Sequence, residues 1–172
     1  NTHPTLQQMQ AQEILKNPYN FAFLEIEKEH DEKQLEEALI NNITRFLLEL
    51  GQGFSFVGRQ MELRMPNGQS YFPDMVFYHI KMRCYVVVEL KVVEFMPEFA
   101  GKLNFYVSAA DHLLRSAEDN PTIGLLICRS KDETIVQWSL EGVNKPVGVA
   151  SYQLQEIVEE TLNAKELGSV NA

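Results

Sequence analysis

A chain of 172 residues, 45% hydrophobic and 23% charged, has the length and composition of one domain with a buried core. No apolar run approaches the roughly 20 residues of a membrane span and no signal peptide opens the chain, so a cytoplasmic protein without a membrane partner is expected. The net charge of −9 speaks against a broad basic surface for nucleic acid.

Residues 9–16 are expected to form a short helix stopped by Asn17-Pro18, and residues 19–30 a loop or short strand. Asp31 and Gln34 have the spacing of a capping box. Leu35, Leu39, Ile43, Phe46 and Leu50 then recur at helical spacing up to Gly51, which predicts one helix over 31–50. At about 100° per residue Glu36 falls inside the apolar arc and faces the body of the protein, whereas Glu37 points away. The run 54–65 alternates as a strand and changes phase at Gly58-Arg59, as a bulge would make it do. Pro66-Asn67-Gly68 predicts a hairpin turn, and a second strand over 70–79 carries Pro73 at an edge or bulged entry.

After a short basic link, His79–Arg83, the run 84–92 is apolar enough for a central buried strand. A second long helix is expected over 97–118, with Phe99, Leu103, Tyr106, Val107, Ala110, Leu113 and Leu114 inward, ending at Asn120-Pro121. A strand (122–128), a short helix (132–141), a strand (147–154) and a terminal helix (155–167) complete the chain. Trp138, Tyr152 and the phenylalanines are assigned to the core, and Cys84 and Cys128, each in an apolar run, to buried reduced thiols. Helices covering a mixed sheet in the order α-β-β-β-α-β make an α/β three-layer fold.

Three residues on the second and third predicted strands carry chemistry. Asp74 follows Pro73 at the start of one; Glu89 and Lys91, two apart on the next, leave the same face of the sheet, while Val86, Val88 and Leu90 take the other. A charged pair at the end of so apolar a run is costly to bury unless it is paired or binds a metal. Two carboxylates on adjacent strands can chelate a hard cation such as Mg²⁺, and a lysine beside them can orient water and offset charge on a phosphoryl group. Glu36 could complete the metal site or hold a second ion through water. A structural reading stands beside this one: a buried Glu89–Lys91 ion pair with Asp74 in a strand-entry turn. Arg59 and Gln60, at the phase change, make either a phosphate or base contact or a surface pair that supports the bulge. Lys81 and Arg83 form a small basic patch or plain turn residues. His3, His30, His79 and His112 lack the spacing of zinc ligands, and neither a Gly-rich phosphate loop nor an activated Ser or Cys is present.

The segments LEEALINNITRFLLELGQGFSFVGRQ, FPDMVFYH, CYVVVELK, EFAGKLNFY, NPTIGLLICRSK and GVNKPVGVASYQL resemble the C-terminal domain of the bacterial YhcG proteins, members of the PD-(D/E)XK nuclease superfamily. The resemblance covers roughly residues 17–154. It implies a restriction-endonuclease-like core that uses Mg²⁺, with Mn²⁺ as substitute, to cut DNA, RNA being the weaker candidate. Carried over, Asp74 and Glu89 are the metal-binding acids, Lys91 the catalytic lysine and Glu36 the first-helix acid. Leu90, between acid and lysine, joins the metal positions, and Lys102 takes the polar place on the following helix, with Tyr106 one turn along. The expected organisation is an N-terminal remnant or linker (1–18), a nuclease domain (19–167) and a tail (168–172). An upstream domain belongs to the family pattern, and pairing into a homo-oligomer fits cleavage of two strands. The rival expectation is a nuclease-fold binding or assembly module of a larger DNA-processing or defence complex, with little activity of its own.

Overall fold

The computed structural model describes residues 12–154. Six strands form one mixed sheet in the order β1-β8-β7-β6-β5-β2: β1 (Tyr19–Phe21), β2 (Phe54–Arg59), β5 (Met75–His79), β6 (Cys84–Leu90), β7 (Ile123–Cys128) and β8 (Val147–Leu154). The strands β2, β5 and β6 are antiparallel, as a meander must be, while β6, β7, β8 and β1 run parallel. Two short strands, β3 (Leu63–Arg64) and β4 (Ser70–Tyr71), make a separate hairpin. Among the described residues the sheet is flanked by α1 (Glu32–Asn41), α2 (Ile43–Leu50), α3 (Pro97–Leu113) and α4 (Glu133–Leu140). Among the described residues no helix is long and apolar enough to cross a membrane.

Period-two alternation divides the core. Val86, Val88 and Leu90 of β6 and Leu125 and Ile127 of β7 face Leu35, Leu39, Phe46 and Leu50 of α1 and α2. Val87, Leu126 and Cys128 face Leu103, Val107 and Ala110 of α3 and Val136 of α4. The α/β three-layer arrangement expected from the sequence is therefore the one observed. Both cysteines are buried free thiols.

Several boundaries differ from the expectation. The helix over 31–50 opens on the predicted capping box, with Asp31 and Gln34 each bonding the other's main-chain N–H, but it breaks at Asn42. Asn42 has φ −118° and ψ 38°, and its amide donates to the Ala38 carbonyl at 2.9 Å. The Asn42 main-chain N–H bonds the same carbonyl at 3.1 Å, so side chain and main chain together close the last turn of α1. The run 54–65 is two strands, and so is 70–79. The register shifts between Phe56 and Gly58, and Gln60 takes φ 50°, so the chain leaves the sheet for the β3–β4 hairpin and re-enters at Met75. The Asn-Gly turn lies at that hairpin's tip, with Gly68 at φ 92°.

The helix expected over 97–118 ends at Leu113, which is 40% exposed and not in the core. Trp138 is another correction: α4 is short and buries only Val136, which leaves the indole 69% exposed on the outer side. Phe56, Phe72 and Phe105 are exposed as well. Of the segment 9–16, residues 12–14 are helical and the rest of the predicted helix lies outside the described residues, as does the expected helix over 155–167.

Candidate active site

The register Met75↔Val88 places Asp74, one residue before β5, directly across from Glu89. Opposed residues of an antiparallel pair project from the same face, here the one covered by α3. The two acids are locked to each other's strands. Asp74 N–H donates to Glu89 Oε2 at 2.6 Å, and Leu90 N–H donates to Asp74 Oδ2 at 2.8 Å. The Leu90 main chain is thus turned toward Asp74, because β5 has not yet begun and cannot take up its N–H. Lys91, the first residue past β6, is anchored by its own N–H to the Ile127 carbonyl at 2.9 Å.

Helix α3 supplies the cations' surroundings. The Lys91 ammonium lies 4.8 Å from the centroid of the Phe99 ring, a cation–π contact that fixes the side chain without neutralising it. Lys102 approaches Glu89 Oε1 at 3.9 Å and Tyr106 at 5.4 Å from its ring centroid. The ion-pair partner of Glu89 is therefore Lys102 on the helix, not Lys91 on its own strand. The Glu89–Lys91 ion pair of the structural reading is not formed; a Glu89–Lys102 pair stands in its place. Lys102 is half exposed, so its pairing with Glu89 adds little stability.

Burial and mutual repulsion shape the acids. Glu89 is 5% exposed; burial first, then the Asp74 charge, push its carboxyl up to about 8, against the pull of the Asp74 N–H, Lys102 and Lys91. Burial likewise raises Asp74, helped by the Glu36 charge and opposed by the Leu90 N–H, the Gln60 amide and Lys91. Burial and then these same two acids raise the Tyr106 hydroxyl. Such a pair retains unmet demand for positive charge.

Glu36, on α1, is buried at 5% exposure as the periodicity predicts, but both its oxygens are held by protein donors. Arg59 Nε donates to Oε1 at 2.5 Å and the Gln60 amide to Oε2 at 2.9 Å. The same amide donates to Asp74 Oδ1 at 3.1 Å, and Gln60 N–H to the Asp74 carbonyl at 3.0 Å. Arg59 and Gln60 are thus part of the site. The phase change at Gly58-Arg59 is the one sign of this in the sequence, and it points to a bulge rather than to the atoms the bulge presents. Lys81 and Arg83 sit at the far end of the β5–β6 hairpin, away from Asp74 and Glu89.

Among the described residues no three or more His, Cys, Asp or Glu side chains are grouped as a metal site. Two carboxylates nevertheless fit Mg²⁺, which takes one or two protein carboxylates and keeps several waters. The oxygens not bonded by main-chain N–H groups, Asp74 Oδ1 and Glu89 Oε1, are the ones available to it.

A family model described as the YhcG PDDEXK nuclease domain matches residues 12–167. The chain belongs to that family. The Escherichia coli (strain K12) protein named "Putative nuclease YhcG" is 36% identical over 156 residues, which are 91% of this chain and 41% of that protein. This YhcG-type domain therefore spans well under half the length of the relative. Among solved structures, one titled "Structure of EndoMS-dsDNA2 complex" aligns with a TM-score of 0.48 at 17% identity, covering 76% of this chain and 46% of that one. A repair endonuclease from Pyrococcus abyssi aligns at 0.44 and 16% identity, covering 73% and 48%.

Proposed function

We propose that this domain hydrolyses phosphodiester bonds of DNA, as an endonuclease or an exonuclease, with a Mg²⁺ ion bound by Asp74, Glu89 and the main-chain carbonyl of Leu90. The observation that carries the reading is the reciprocal bonding of Asp74 and Glu89 across neighbouring strands. It leaves one oxygen of each carboxylate turned out of the main-chain bonds, beside two lysines. When bound, the cation would polarise the phosphoryl group and favour ionisation of the attacking water.

The chain's own residues do the rest. Asp74 and Glu89 set the position from which attack occurs. Lys91, held over Phe99, orients the water and offsets the charge that builds on the phosphoryl oxygens. Lys102, half exposed beside Glu89, meets the phosphate backbone. The Glu36 side supports the acids. With −9 net charge the domain presents little general attraction for DNA, so further contacts are assigned to a partner domain or to a second copy.

The test is cleavage of labelled DNA and RNA by the purified domain with Mg²⁺ or Mn²⁺. Asp74→Ala, Glu89→Ala and Lys91→Ala are each expected to lose at least about 100-fold in rate while melting as folded proteins. Undiminished cutting by all three variants refutes the assignment. The same acidity favours a second reading, a nuclease-fold assembly module of a larger complex, and a domain that binds neither cation saturably would be that module.

A further inference from the structure

The amide of Gln60 stands between two carboxylates that do not touch. One N–H₂ group reaches Glu36 Oε2 at 2.9 Å and Asp74 Oδ1 at 3.1 Å. Its orientation is not ambiguous, since both neighbours accept hydrogen bonds and only the nitrogen end of an amide can donate to them. The geometry points to Gln60 as the positioning residue that aims Asp74 Oδ1 at the cation and carries the influence of Glu36 to it, so that Glu36 acts through Gln60 and not as a ligand. This deepens the proposed function and rests on its cation site.

Four features support it. Both oxygens of Glu36 already accept a hydrogen bond from the protein, Oε1 from Arg59 and Oε2 from Gln60. Glu36 is ion-paired with Arg59, so its charge is already offset before a cation arrives. Gln60 is neutral: it fixes Asp74 without supplying a positive charge that would compete with the cation, whereas Arg59, which is charged, is spent on Glu36 and Glu37. The main chain also fixes where the amide goes. Gln60 adopts φ 50°, uncommon for a residue other than glycine, and its N–H bonds the Asp74 carbonyl at 3.0 Å, so the residue is tied to Asp74 at both ends. Partners behind metal ligands commonly change metal affinity 10- to 100-fold when removed.

The experiment measures Mn²⁺ binding calorimetrically to the whole 172-residue domain, with no nucleic acid present. The variant Gln60→Asn tolerates the left-handed main chain at least as well as glutamine, yet its amide is one methylene too short to span both acids. Gln60→Met has the length without the donors. Both are expected to weaken Mn²⁺ binding by about tenfold with melting temperature held, since Gln60 lies at the surface. The double variant Glu36→Gln/Gln60→Asn is expected to bind no more weakly than Gln60→Asn alone, because the first change has lost its route to Asp74. Wild-type affinity in both single variants overturns the inference. So does multiplication of the two losses, which would make Glu36 an independent ligand. A wild-type domain that binds no Mn²⁺ overturns instead the cation site of the proposed function, and this inference with it.

Discussion

Replacing Glu89 by glutamine should make the cation-free domain more stable, and more so as the pH rises. In the fold the carboxyl is pushed from 4.5 up to about 8 by burial and by Asp74, so the folded state holds a proton that the unfolded chain has already lost. Stability therefore falls as pH rises through the interval from 4.5 to about 8, and the loss is complete above it. Every tenfold difference in proton affinity between the folded and unfolded chain is worth about 1.4 kcal/mol, which sets the penalty at pH 8 on the order of 3–5 kcal/mol. Glutamine keeps an oxygen for the Asp74 N–H, whose bond to Glu89 is 2.6 Å, and gives up only the 3.9 Å contact with half-exposed Lys102. Urea denaturation in chelator should show the variant ahead by a few kcal/mol at pH 8 and nearly level with wild type at pH 5. Mn²⁺ should then close most of the gap: at about 1,000 times its dissociation constant an ion that binds only the folded wild type adds about 4.1 kcal/mol. A difference that stays constant between pH 5 and pH 8, or a wild type that leads at pH 8 in chelator, would refute the account of this carboxyl.

Three further outcomes are expected. Lys102→Ala should weaken DNA binding and lower the slope of affinity against log salt by roughly one phosphate contact, with little change in melting temperature; an unchanged slope removes Lys102 from the interface. Gly124→Ala should destabilise by about 1–3 kcal/mol in urea. Its new methyl would lie 2.7 Å from Val107 Cγ2 and 2.9 Å from Leu103 Cγ, between β7 and α3, and a neutral result would mean that α3 can slide. Burial pushes the Cys84 thiol up to about 11 and Cys128 up to about 12, so both should react with a disulfide reagent only as fast as the domain unfolds.

Residues whose surroundings are set by local periodicity are readable from the sequence. Glu36 falls inward because of its place among Leu35, Leu39 and Phe46, and β6 is central because Cys84–Leu90 has no polar alternation until Glu89. What escapes such a reading depends on single conformations or on neighbours distant in the chain. The helix that the flanking apolar residues extend is broken by the single non-helical conformation of Asn42, φ −118° and ψ 38°. The left-handed turn at Gln60 splits what alternation presents as a continuous strand, and it is the same turn that delivers the amide to Asp74. Trp138 and Leu113 are apolar at helical spacing, yet α4 buries only Val136 and Leu113 is the last residue of α3, so neither is covered. The role of Lys102 beside Glu89 comes from the family resemblance; composition and spacing carry no sign of it.

The pairing of β1 with β8 has a kinetic consequence. Tyr19 is in register with Tyr152 and Phe21 with Leu154, so the first and last strands of the described fold lie side by side. A chain emerging from the ribosome can zip β2, β5 and β6 by short hairpins, but this outer pair must wait until over 130 intervening residues have been made and packed. Once β8 has paired with β7, its outer edge is a template for another chain until β1 docks on it.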